Sequence, residues 1–134
     1  MSVASISKGW VSRRTGVWVL QAVVAVAFFA AGGAKLAGVP VMVQLFDQLG
    51  LGQWFRYVTG TVEVLGAFAL IYPGMASIGG LWLGFTMFCA VLTHLFVLHN
   101  NPAAAAVLGL LNALIVYLHR DELGSYWRII TRRA

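Results

Sequence analysis

The chain has 134 residues, enough for one domain, and 60% of them are apolar or aromatic while only 10% are charged. A soluble globule carries about 25% charged residues, so a soluble fold is excluded and the apolar surplus is expected to face lipid. The net charge is +5, but the basic residues gather at the two ends instead of on one polar face, which argues against nucleic-acid binding.

Residues 1–15 are polar and basic, with Lys8, Arg13 and Arg14, and read as a cytoplasmic arm. From 16 to 34 the only strongly polar residue is Gln21, and the run meets the roughly 20 apolar residues that a helical span needs. Trp18 near its start suits an interfacial anchor. A cleaved leader is the competing reading, with Arg13 and Arg14 ahead of an apolar core. Its core would be shorter than this one, and Gly16 and Val17 stand where a twin-arginine signal carries a bulky apolar pair.

Residues 35–55 are punctuated by Gly38, Pro40, Gly50 and Gly52. Pro40 fits the first turn of a short helix ending near Gly50. Gln44, Asp47 and Gln48 interleave with Val41, Val43, Leu45 and Phe46, so this helix is expected to lie at the outer interface. Residues 54–72 form the second expected span, closed by Pro73 and Gly74. The third covers about 75–98, and His99, Asn100 and Asn101 make a polar turn after it. Pro102 opens the fourth, to about 119, and 120–134 is a short basic tail with Tyr126 and Trp127 suited to the headgroup layer.

The expected fold is therefore all-α: an integral membrane four-helix bundle over 16–119, with a short interfacial helix between the first and second spans. Each span must satisfy its own backbone in lipid, which favours helices; no segment shows the sustained period-two pattern of a transmembrane strand. Seven of the nine Lys/Arg fall in the two terminal segments, and only Lys35 and Arg56 lie on the other side. The positive-inside rule then puts both ends in the cytoplasm.

Ionisable residues within a membrane are costly and each needs a reason. Glu63 follows Arg56 by seven residues, about 10 Å along a helix. Arg56, Thr59, Gly60, Glu63, Gly66 and Ala67 share one stripe, polar or small, which is expected to face the interior. Lys35 closes the first span on the same side, and His94 lies late in the third, so Lys35, Glu63 and His94 share a depth near the outer face. Asn112 would extend the cluster towards the membrane centre. Lys35, Arg56, Glu63 and His94 are the candidates for ligand binding or proton handling. The structural alternative is equally open: a Lys–Glu pair can simply clamp two helices, and Lys35 can snorkel to the headgroups.

No nucleotide fingerprint or zinc-protease motif occurs. The three His lie on different segments and form neither a metal pattern nor a haem pair. Cys89 is alone within an apolar run, where a cysteine behaves as a small hydrophobe.

These residues support a family resemblance. Gly33-Ala-Lys35-Leu36 ends the first span, Gly60-x-x-Glu63-Val64-x-Gly66 sits in the second, and Thr93-His94 lies late in the third. With four short spans in the chain, this resembles the DoxX-like family of small bacterial membrane proteins, from about residue 17 to 119. The resemblance implies a four-helix bundle in the bacterial plasma (inner) membrane. It also implies redox association, since relatives are linked to thiosulfate oxidation with quinone as acceptor and to membrane oxidoreductase assemblies. The matching positions are Lys35, Glu63 and His94.

Two functions are expected from this. One is a redox-associated protein with a polar pocket near the outer face that takes quinone or a similar small molecule, as a subunit of a quinone-linked oxidoreductase. The other is a non-catalytic subunit whose lipid-facing aromatics (Phe28, Phe29, Trp82, Phe85, Phe88) pack on partner membrane subunits or a second copy. A small-solute transporter is a third class, for which four short helices leave little room.

Overall fold

The computed structural model of the chain describes residues 3–133, and α-helices are the only long regular elements among them. They run α1 Val3–Ala37, α2 Pro40–Leu49, α3 Gln53–Ile71, α4 Ala76–Phe96, α5 Ala103–Leu118 and α6 Arg120–Arg133. α1 packs on α3, α3 on α4, α4 on α5, and α5 returns to α1. α2 rests against α3 and α1, and α6 leans on α4.

The connections form where turn chemistry predicts. Gly38 takes a positive φ of 70°, which lets the Val39 N–H reach back to the Ala34 carbonyl at 3.1 Å and the Gly38 N–H to Lys35 at 3.3 Å. This is the paired closure of a helix ended by a left-handed glycine. Pro40 then starts α2 and Gly50 ends it in the left-handed region, as expected. Asn101 accepts the Ala103 N–H at 2.8 Å at the start of α5.

The two flanking segments are helical. The arm expected over 1–15 continues α1 without a break from Val3. Nothing in that stretch stops a helix: it has no proline, and its one glycine, Gly9, costs only about 1 kcal/mol relative to Ala. The basic tail is likewise a helix, α6, set at 63° to α5. Glu122 draws it back by accepting the Ser77 N–H at 3.0 Å, and the Tyr126 hydroxyl donates to the Gly74 carbonyl. Residues 1, 2 and 134 of these two segments lie outside the described residues.

The core runs through Val24, Ala25 and Phe28 of α1, Ala67 and Leu70 of α3, Leu83 and Met87 of α4, and Ile115 of α5. Phe28 is fully buried, so it is not one of the lipid-facing aromatics it was expected to join. Phe29 is half-buried and meets Phe68 edge-on at 4.8 Å. Trp82, Phe85 and Phe88 do face outward.

Two helical segments, Ser12–Ala37 and Ala76–Phe96, are long and apolar enough to cross a membrane, and α5 with α6 makes a third candidate across the bend. The other expected spans fall short for physical reasons. α3 has 19 residues but carries Gln53, Arg56 and Glu63, and α5 alone has 16. The outer surface is nevertheless apolar along its middle: Val23, Val26, Leu65, Phe68, Leu81, Phe85, Val107 and Leu110 are all exposed. Such a surface is unstable in water and matched to lipid.

Candidate functional site

The interior stripe of α3 is where the periodicity placed it. Arg56, Gly60, Glu63, Gly66 and Ala67 are all buried, and Leu70 continues the stripe. α1 can come close because Gly32 faces Gly60: a Cβ on Gly32 would sit 2.8 Å from the Gly60 carbonyl oxygen. Small residues at such crossings are how helices in lipid approach each other.

That approach brings Lys35 to Glu63. The Lys35 ammonium donates to both carboxylate oxygens, at 2.8 Å to Oε2 and 3.0 Å to Oε1. The side chains are 14% and 5% exposed, so Lys35 does not snorkel away from its partner. A charge so withdrawn from water persists only when paired.

Arg56, 4% exposed, belongs to the same group. Its Nη1 donates to the Lys35 carbonyl at the end of α1. A cation at that position meets the negative end of the helix dipole. Its Nε donates to Gln53 Oε1 at 2.6 Å, and the guanidinium lies 4.3 Å from the Tyr57 ring centroid. Gln53 in turn donates to the Val43 carbonyl at 2.9 Å and to Asp47 Oδ1 at 2.7 Å. The polar group therefore runs from α2 through Gln53 and Arg56 to the end of α1, and through Lys35 back to α3. Gln53 and Asp47 were missed as members of the site. Their signal in the sequence is weak: two polar residues six apart across the Gly50 turn.

The other candidates do not join. His94 is half-buried near the end of α4, and its Nδ1 shares a hydrogen bond with the Asn100 carboxamide oxygen. Asn112 is fully buried and donates to Leu108 of its own helix at 2.8 Å. Its Oδ1 has no partner among the described residues, nor has the Ser77 hydroxyl. Neither His94 nor Asn112 is hydrogen-bonded to Lys35 or Glu63.

The opposite end also holds a buried polar side chain. Gln21, buried in α1, donates to the Leu70 carbonyl at 2.6 Å. Leu70 lies in the last turn of α3, where carbonyls lack helical partners, so Gln21 closes that helix end from the side.

The model of the DoxX-like family matches residues 19–117, from α1 through most of α5. The chain belongs to the DoxX-like family. Within this DoxX-like region lie Lys35, Asp47, Gln53, Arg56 and Glu63, so the whole polar group falls in the shared part. The chain is also similar to "Putative oxidoreductase CatD" of Bacillus subtilis (strain 168), at 29% identity over 79 residues. The match covers 58% of each protein, so the chain spans little more than half the length of that relative. No solved structure matches this DoxX-like chain.

Proposed function

We propose that this DoxX-like membrane protein is a redox-associated component of the bacterial plasma membrane. α1, α3, α4 and α5 form a four-helix transmembrane bundle with both ends in the cytoplasm, and α2 lies at the outer interface. The shortfall of α3 as a span comes from polar groups that face inward, where Arg56 and Glu63 are buried. α5 is extended to membrane length by the α6 corner. The basic residues of α6 and of the start of α1 then meet the cytoplasmic headgroups.

In this reading the outer polar group receives a quinone headgroup between α1 and α3. The Lys35 ammonium would turn from Glu63 to donate to a quinone oxygen, and the Glu63 carboxylate would accept a hydrogen bond from the hydroxyl of the quinol form. Arg56 keeps the end of α1, and with it Lys35, in place. His94 is engaged by Asn100 and has no contact in this scheme. The observation that carries the reading is a buried, doubly hydrogen-bonded Lys35–Glu63 pair at a helix–helix crossing. The oxidoreductase name of the Bacillus subtilis relative supports the redox part.

The test is quinone binding by wild type and Glu63→Gln in nanodiscs, with thermal stability measured on the same samples. A loss of about tenfold or more, worth roughly 1.4 kcal/mol, is expected with folding retained. Equal affinity at equal stability removes Glu63 from the ligand site.

A second reading is favoured by the exposed aromatics Trp82, Phe85 and Phe88 along α4. In it the chain is a non-catalytic subunit that packs this face on partner helices or a second copy. Purification in mild detergent separates the two, because migration only as a small monomer counts against the subunit.

A further inference from the structure

The open polar cavity lies at the other end of the molecule. A cleft of about 770 Å³ is bounded by the α1 segment around Arg13, Arg14 and Gln21, by the α3–α4 turn, and by the α5–α6 corner with Asp121 and Glu122. We propose that this cleft holds the head of a zwitterionic phospholipid with a free ammonium, of the phosphoethanolamine type. The inference rests on the membrane reading above, which puts this end at the cytoplasmic headgroup layer, but not on the quinone assignment.

Two guanidiniums stand on one wall and two carboxylates on another. Yet among the described residues no ion pair joins them; the one ion pair found there is Lys35–Glu63. Opposite charges that face one cleft without meeting leave room for a ligand carrying the complementary pair. Arginines suit a phosphate diester, which they can bind in a fork. The carboxylates suit a primary ammonium, which offers three donors. A purely anionic head would satisfy the arginines and be repelled by Asp121 and Glu122, and a quaternary choline offers no N–H to either.

Below the charged rim the walls are apolar, with Val17, Trp18, Ile71 and Leu118. Trp18 is half-exposed and amphipathic, as a residue at the headgroup level should be. This gradient matches a molecule with a charged head and acyl chains. Its size is also that of a small-molecule site.

The Ser77 N–H holds Glu122 at 3.0 Å, and Tyr126 ties α6 to the α3–α4 turn. Gln21 gives one amide N–H to the Leu70 carbonyl, which fixes its side chain at the cleft wall and leaves its oxygen and second N–H to the cleft. The carboxylate wall is therefore built into the α6 corner and is not a mobile tail.

The experiment is native mass spectrometry of the full chain, purified in detergent and offered equal amounts of phosphatidylethanolamine, phosphatidylcholine and phosphatidylglycerol. Wild type is expected to retain the ethanolamine lipid in preference to the other two. Arg13→Gln with Arg14→Gln should weaken retention of all three by roughly tenfold, given the usual contribution of each basic residue near a headgroup. Asp121→Asn should abolish the preference for ethanolamine over glycerol while leaving total retention in place. Both variants alter exposed side chains, and unchanged melting temperatures would show that they fold. Equal retention of the three lipids by wild type overturns the proposal, as does an unchanged preference in Asp121→Asn. An additional arm offers soluble O-phosphoethanolamine: full displacement of lipid at low millimolar concentration would show a soluble ligand site and overturn the lipid assignment. Quinone binding in the same variants should match wild type, so this proposal and the one for Glu63 fail separately.

Discussion

The two ends of the molecule treat their charges in opposite ways. At the end proposed to be outer, Lys35 and Glu63 are almost fully enclosed and close directly on each other, with Arg56 bound to the backbone beside them. At the end proposed to be inner, Arg13, Arg14 and Asp121 are exposed and form no ion pair among the described residues. The difference is one of solvent. A charge enclosed between helices must find a partner within the protein, whereas one at the headgroup layer finds water, ions and lipid heads.

The contrast can be broken most severely at the outer end. Glu63→Ala leaves the Lys35 ammonium buried without its partner and should cost about 3–5 kcal/mol in unfolding free energy, read by denaturation in a fixed detergent. A cost below 1 kcal/mol would mean that Lys35 escapes to the headgroups. At the inner end the largest single effect expected is Gln21→Leu. It removes the donor to the Leu70 carbonyl and should cost about 1 kcal/mol, with amide exchange faster in the last turn of α3. Smallest of all is Arg14→Gln, which should stay within about 0.5 kcal/mol of wild type. A larger loss would show that Arg14 has a protein partner and that the inner end is not the open half of the comparison.

Much of this was legible in the amino-acid sequence, for identifiable reasons. The buried face of α3 followed from spacing, because a polar and small stripe at helical period has one place to go in a membrane protein. The Lys35–Glu63 pair followed from the cost of isolated charge. Gly38, Pro40 and Gly50 marked both ends of the short second helix, since each fixes a backbone geometry few other residues adopt. Other features left no such mark. α1 is apolar on every side through its middle, and the mark of its buried face lies only at its two ends, where Gln21 and Lys35 stand seven residues either side of the buried Phe28. The helix of α6 is polar and fully accessible at most positions, and its direction depends on Glu122 and Tyr126 finding partners some 45 to 52 residues away. Its place late in α4 leads one to expect His94 at the depth of the pair, but depth says nothing of direction, and Asn100 lies nearer along the chain. Gln53 and Asp47 are ordinary interfacial residues by type; only the fold of the α2–α3 turn makes them a brace for Arg56.

The central claim is that Lys35 and Glu63 do more than clamp α1 to α3. It is tested most directly by the double substitution Lys35→Met with Glu63→Leu, assayed for both stability and quinone binding in nanodiscs. An apolar pair of similar volume commonly replaces a buried ion pair at little cost or with a gain, so the double variant should melt near wild type. If the pair is functional, quinone binding falls by about tenfold or more, roughly 1.4 kcal/mol, in this stably folded protein. Wild-type quinone affinity in a double variant of wild-type stability would contradict the account and leave the pair a clamp.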